Sequence, residues 1–264
     1  YVQRSHWVQA LTQSMVYVYW AVYWDAVRQY ALFIVAQILF AYTLENVLAW
    51  TRHKKGRMGF GPFPIVLSIN LFFWFKNEYA YLQLLLVAGA YLSKEFITWQ
   101  RDGKLSHIFN PSAATLAFTG ILLMATGGLS LAIGVDLIMA LYIPPNFFEV
   151  LFLLGLIPQF LFSTTLVTGG AALALALMFY GIKPTGYALQ SPFDVSVFIG
   201  LNLLVTDPAT SPRTRPGKLL FGMSYGFGIF LTYFILRFTQ QASFFDKILP
   251  VLAVNLLVRQ FDTA

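Results

Sequence analysis

Residues 30–50 read YALFIVAQILFAYTLENVLAW, with Glu45 the only charged side chain in the run. A helix rises about 1.5 Å per residue, so roughly 20 mostly apolar residues cross the hydrocarbon core of a bilayer. The stretch therefore reads as a transmembrane helix. Composition extends that reading to the whole chain: 58% of its 264 residues are hydrophobic, 11% are charged, and mean hydropathy is +0.67. A soluble domain carries about 25% charged residues, so there is too little polar surface here to cover a water-soluble globule. An all-α integral membrane bundle is expected.

Outward from that helix, further apolar runs occupy 60–75, 79–96, 111–131, 147–160, 161–180, 193–205, 219–236 and 248–258. Segment 7–24 is aromatic and only partly apolar, so 1–29 is either a further span or an interfacial helix. The count is eight to ten, in one transmembrane domain over 30–264. Arg52, Lys54, Lys55 and Arg57 form the most basic loop, which places it on the cytoplasmic side. Alternation then puts 94–104 on that side, with Arg213, Arg215, Lys218 and Arg259, and the C-terminus cytoplasmic. Loop 181–192 falls outside. Trp50, Trp74, Tyr79, Trp99 and Tyr180 stand near span ends, where amphipathic rings favour the headgroup region. The net charge of +6 sits in these short loops, which suits membrane topology rather than nucleic acid.

Gly169, Gly170, Ala171, Ala172, Ala174 and Ala176 leave one helix nearly bald, and Gly222 and Gly226 form a G-x-x-x-G. Both patterns predict close helix contacts, because in lipid close backbone approach replaces the hydrophobic drive for association.

The chain has no cysteine, which excludes disulfides and thiolate-bound iron–sulfur or zinc sites. His6, His53 and His107 have no spacing for paired haem or metal ligation. Among carboxylates near span ends, Glu45, Asp136, Glu149 and Asp194 are either solvated helix ends or functional groups; Glu45 is the first to test.

The most informative feature is a near-repetition. His107-Ile108-Phe109-Asn110-Pro111-Ser112-Ala113-Ala114-Thr115 stands in one half and Thr206-Asp207-Pro208-Ala209-Thr210-Ser211 in the other. Asn or Asp before a proline caps exposed amides, and proline in the first helical turn costs no hydrogen bond. Two proline-interrupted helices starting inside the bilayer would aim their positive ends into it. Broken helices at that depth must line protein or a wet cavity, and a matching pair points to a ligand site between halves.

These motifs and their surroundings resemble one membrane family, that of the B subunit of the sodium-translocating NADH:quinone reductase and the D subunit of the Rnf complex. Ser93-Lys94-Glu95-Phe96 followed by the Asn110-Pro111 motif, Ser163-Thr164-Thr165-Leu166 through Gly169-Gly170, Thr206 to Pro212 with Gly217-Lys218, and the closing 249–262 carry the likeness, which covers 82–262. The resemblance implies two inverted halves, similar to urea channels, meeting around 140–160. It implies a non-covalent riboflavin or FMN held at the positions of His107, Asn110 and Asp207, with Thr206 and Ser112 beside them. The family's covalent-FMN motif, S-G-A-T, is absent, so covalent FMN is not expected. His107 also departs from the family's Asn.

The expected function is that of a membrane subunit of an electron-transfer complex in the bacterial inner membrane. It would relay electrons from a flavin to partner subunits or quinone. The alternatives are a channel or carrier for a small polar solute, and a cofactor-free anchor for a redox assembly.

Overall fold

A computed structural model describes residues 4–54, 56, 58–101, 103–182 and 194–263. Lys55, Arg57 and most of the loop assigned outside, 183–192, lie outside the described residues, as does the start of the predicted span at 193. The architecture is all-α. In chain order the helices are α1 (Arg4–Tyr23), α2 (Asp25–His53), α3 (Pro62–Phe72) and α4 (Leu82–Phe96). A two-stranded hairpin follows, β1 (Thr98–Arg101) and β2 (Lys104–His107), antiparallel with Thr98 opposite His107. Then come α5 (Pro111–Thr126), α6 (Gly134–Ala140), α7 (Phe147–Leu161), α8 (Thr165–Ile182), α9 (Val195–Ile199), α10 (Arg215–Phe238), α11 (Leu249–Leu256) and α12 (Val258–Asp262).

Two helices, over Asp25–Arg52 and Arg215–Phe238, are long and apolar enough to cross a membrane, and four shorter apolar helices stand at α3, α5, α7 and α8. The predicted 30–50 run lies inside α2, which starts earlier, at Asp25. The predicted 60–75 run is helical only to Phe72; Phe73 is extended, and Phe75 bridges to Ala132. Segment 111–131 breaks at Gly127, whose φ of +68° closes α5. The 147–180 stretch turns at Ser163, also in the left-handed region. The run 193–205 gives one short helix, α9, that widens into a π-turn over Gly200–Leu204.

The segment of undecided role at 7–24 is α1, packed within the bundle against α2, α3 and α7. Its buried face carries Val8, Thr12, Val16, Tyr17 and Trp20. Trp20 donates from Nε1 to the Ala140 carbonyl (3.1 Å) and sits in an aromatic group with Trp24, Trp74 and Phe147.

Small residues decide the tightest helix pair. α8 and α10 run parallel, with Val167 opposite Gly222 and Ala171 opposite Gly226. A β-carbon at Gly222 would overlap the Val167 carbonyl oxygen, and one at Gly170 the Leu219 carbonyl oxygen. Only hydrogen at these positions lets the backbones meet.

The basic loops that the positive-inside reading puts on one side do gather at one end. Arg52 pairs with Glu95 (3.3 Å). Arg101 makes a bidentate pair with Asp262, at 2.7 and 3.0 Å from one nitrogen, and donates to the Ser211 carbonyl (3.0 Å). Arg213 donates its backbone N–H to the same Asp262 (2.8 Å), and Arg259 reaches the Gln100 carbonyl. Planar, forked recognition of carboxylate is what guanidinium geometry favours. These contacts tie the hairpin, the Asp207 segment and α12 together.

Candidate functional site

Asn110 behaves as its sequence context predicts. It caps α5, its Oδ1 accepting from the N–H groups of Ser112 (3.0 Å) and Ala113 (3.2 Å). Its Nδ2 donates to the Leu204 carbonyl (2.9 Å) at the end of the π-turn, and its backbone N–H donates to Asn255 Oδ1 (3.0 Å) on α11. One residue, through its side chain and its backbone N–H, thus joins three elements.

The second motif departs from expectation. Asp207-Pro208 does not start a helix. It follows the π-turn and opens a run of turns. Asp207 Oδ1 accepts from the Ala209 N–H (3.1 Å), and Ser211 donates to the Asp207 carbonyl (2.8 Å). These local bonds compete with a helix, as Asp and Ser side chains commonly do. The helix begins only at Arg215, where Thr214 accepts from the Gly217 N–H (3.1 Å) and Pro216 fills an early position. Thr214-Arg215-Pro216 was the start signal; the Asp-Pro pair masked it.

Asn110, Asp207, His107 and Ser112 line one small cavity of about 70 Å³, with His6, Gln9, Gln13, Ser68 and Lys94 completing its polar wall. Thr206 is not in that wall; its hydroxyl is spent on the Asn202 carbonyl (2.8 Å). Ser112 donates to the Ile65 carbonyl (3.2 Å). Asn110, with both ends of its amide bonded to protein, serves the wall as a strut.

A larger cleft of about 670 Å³ adjoins, sharing His6, Gly61, Lys94, His107 and Ala209 with the small cavity. Its rim is charged. Lys94 Nζ lies 2.8 Å from Glu45 Oε1, and Glu95 and Ser106 stand on the same wall. His107 is common to both spaces. Its Nε2 is buried, 3.5 Å from Asp207 Oδ2, with no hydrogen-bond partner. Buried polar atoms are nearly always bonded; among the described residues His107 Nε2 and, on the small cavity, Gln13 Oε1 are wall atoms left without a partner.

Asp207 sits in the connection between the π-turn and α10. Burial alone would raise its carboxyl pKa, but the His107 ring beside it, the Ala209 N–H and the nearby His6 together hold it below the ordinary value. The site therefore keeps a carboxylate where a bound group could meet it.

Sequence reasoning missed His6, Gln9 and Gln13, which α1 brings to the wall. No local signal marks them; only the packing of α1 against α3 does, through Gln13 Nε2 donating to Ser68 Oγ (3.0 Å). Glu45 lies on the cleft, paired with Lys94. Asp194 lies elsewhere, capping α9. Among the described residues no group of three or more His, Asp or Glu side chains could hold a metal ion. Compared with family models and with curated proteins, the chain matches none.

Proposed function

We propose that the protein is a multi-pass membrane subunit of an electron-transfer assembly, of the kind its sequence resembles, and that the 670 Å³ cleft binds a non-covalent flavin. The single observation carrying the binding reading is His107 Nε2, buried and unbonded on the cleft wall beside a carboxylate. Small-molecule sites span about 300–1,000 Å³, so the cleft accommodates a flavin and the 70 Å³ cavity does not. His107 and Lys94 would hold the ring's carbonyl edge, and Asp207, behind His107 in the adjoining small cavity, would hold that imidazole in place. Bound there, the flavin would supply electron transfer. Asn110 keeps its part of the wall in place, Glu45 orients Lys94, and α1 closes the far side.

Membrane insertion is supported by apolar side chains that face outward along the helices: Leu32 is 80% exposed, Val18 67% and Phe118 69%. Lipid, not water, suits such a surface. The collection of basic loops at one end supports a cytoplasmic C-terminus in a bacterial inner membrane. Two inverted halves, meeting around 140–160, are supported by matched contacts. Gln13 of α1 donates to Ser68 of α3 (3.0 Å); Gln159 of α7 donates from Nε2 to Asn202 of the π-turn (2.9 Å). α4 packs on α5 as α10 packs on α11, while the equivalent pairs α1 with α7 and α5 with α11 meet across the centre.

A visible absorption spectrum of the purified protein tests the proposal. A flavin chromophore, lost on His107→Ala or Asp207→Ala with the fold retained, is the expected result. A colourless protein overturns it. The small cavity favours a second reading, a path for a small polar solute, because the polar side chains of Gln9, Gln13, Ser68 and Asp207 line it beside the Asn110 cap of α5. Solute uptake into liposomes by a colourless protein supports that reading. A colourless, inert protein that co-purifies with redox subunits is instead an anchor.

A further inference from the structure

A second group of charged side chains is buried away from the cleft, where the segment between α10 and α11 meets the start of α9. Lys247 is 2% exposed and Asp246 4% exposed. Lys247 Nζ donates to Ser196 Oγ (2.8 Å), and Ser196 Oγ donates to Asp194 Oδ1 (2.6 Å). Asp246 Oδ1 lies 3.5 Å from the same ammonium but makes no hydrogen bond. The rest of the surroundings are aromatic: Phe244 lies under the ammonium (4.7 Å), and the Tyr225 hydroxyl of α10 donates to the Lys247 carbonyl (2.7 Å). Gly200 of the π-turn lets Tyr225 approach, since a β-carbon there would crowd its hydroxyl at 2.8 Å.

Charge counting shows what this cluster lacks. One ammonium faces two carboxylates, Asp194 and Asp246, so with all three ionised it carries a net charge of one minus in an interior that tolerates none cheaply. Asp194 is already occupied: it accepts from Ser196 and from the Val197 N–H (2.8 Å). Asp246 Oδ1 is the oxygen left over. We infer that the Asp194–Ser196–Lys247–Asp246 cluster is a proton-binding site, loaded at Asp246 and reached through Asp194. The ligand is one proton, which neutralises the cluster. Transfer balances along the chain once Asp194 has taken a proton from solvent: Lys247 passes a proton to Asp246 and regains one from Ser196, whose hydroxyl proton is replaced from the protonated Asp194, leaving Asp194 ionised again. The net change is one proton moved from Asp194, which is half-exposed, to Asp246, which is not.

The inference does not depend on a bound flavin, and its test reads the carboxyl itself. Infrared difference spectra of the purified full chain across a pH titration follow the stretch of a protonated carboxylic acid. One buried carboxyl is expected to titrate, and its band should vanish in Asp246→Asn. Removing the cation with Lys247→Met should raise the proton affinity at Asp246 about tenfold or more, while removing the neighbouring anion with Asp194→Asn should lower it. A purely structural ion pair shows no titrating band, and that result overturns the site, as does a band that persists unchanged in Asp246→Asn. If Lys247→Met does not fold, Asp194→Asn decides alone: an unmoved midpoint overturns the site.

Discussion

Asp207 joins two demands at one side chain. It must stay ionised while half-buried, and the His107 ring, the Ala209 N–H and His6 make that tolerable. A carboxyl held below its unfolded value stabilises the fold fully above that value, about 3.9 for Asp, and loses the contribution as pH falls through the lower folded value. Thermal unfolding of wild type against Asp207→Asn should therefore differ most at neutral pH and converge in strong acid. A gap that widens in acid would refute the assignment. Asn110 is a different kind of residue, one that works through the backbone. Asn110→Ala removes a helix cap worth about 1 kcal/mol and strands the Leu204 carbonyl besides. We expect a loss of about 2 kcal/mol, measured by denaturant unfolding.

The helical elements divide into those legible from hydropathy and those set by contact. The runs at 30–50, 79–96 and 219–236 needed only length and apolar character, and each lies inside one helix or overlaps it closely. The short elements did not read as well, because tertiary partners end them. α3 stops at Phe72, where the Gln83 side chain takes over the next backbone groups: its Nε2 donates to the Phe73 carbonyl (2.8 Å). A glutamine on the next helix cannot be anticipated from residues 60–75 alone. The hairpin 98–107 was hidden for a similar reason, since its basic residues read as a loop. Part of the candidate site was visible, in His107, Asn110, Ser112 and Asp207, because proline punctuation is local; the α1 contribution was not, because it depends on how two helices lie together. The glycine pattern in α8 and α10 was readable and makes a sharp prediction. Gly222→Leu forces the Val167 backbone away and should cost about 3 kcal/mol or prevent folding. Leu220→Ala, on the same helix but 43% exposed, should be nearly neutral.

For the whole molecule, orientation can be tested directly because the chain has no cysteine of its own. Single cysteines at Gln100, near the basic end, and at Thr239, past the far end of α10, are both at exposed positions. In sealed vesicles a membrane-impermeant thiol reagent should label them from opposite faces. Labelling of both from the same face would sink the multi-pass topology.

The bond between Arg101 and Asp262 spans 161 positions of sequence. A ribosome delivers residue 101 long before residue 262, and the carbonyls of residues 209 and 211 reach Arg101 in between. Asp262 then completes a clasp that the Ala209 and Ser211 carbonyls have begun. The segment that carries Asp207 is thereby fastened to the hairpin by two kinds of grip, backbone carbonyls and a carboxylate, and Asp262→Ala would leave it only the first.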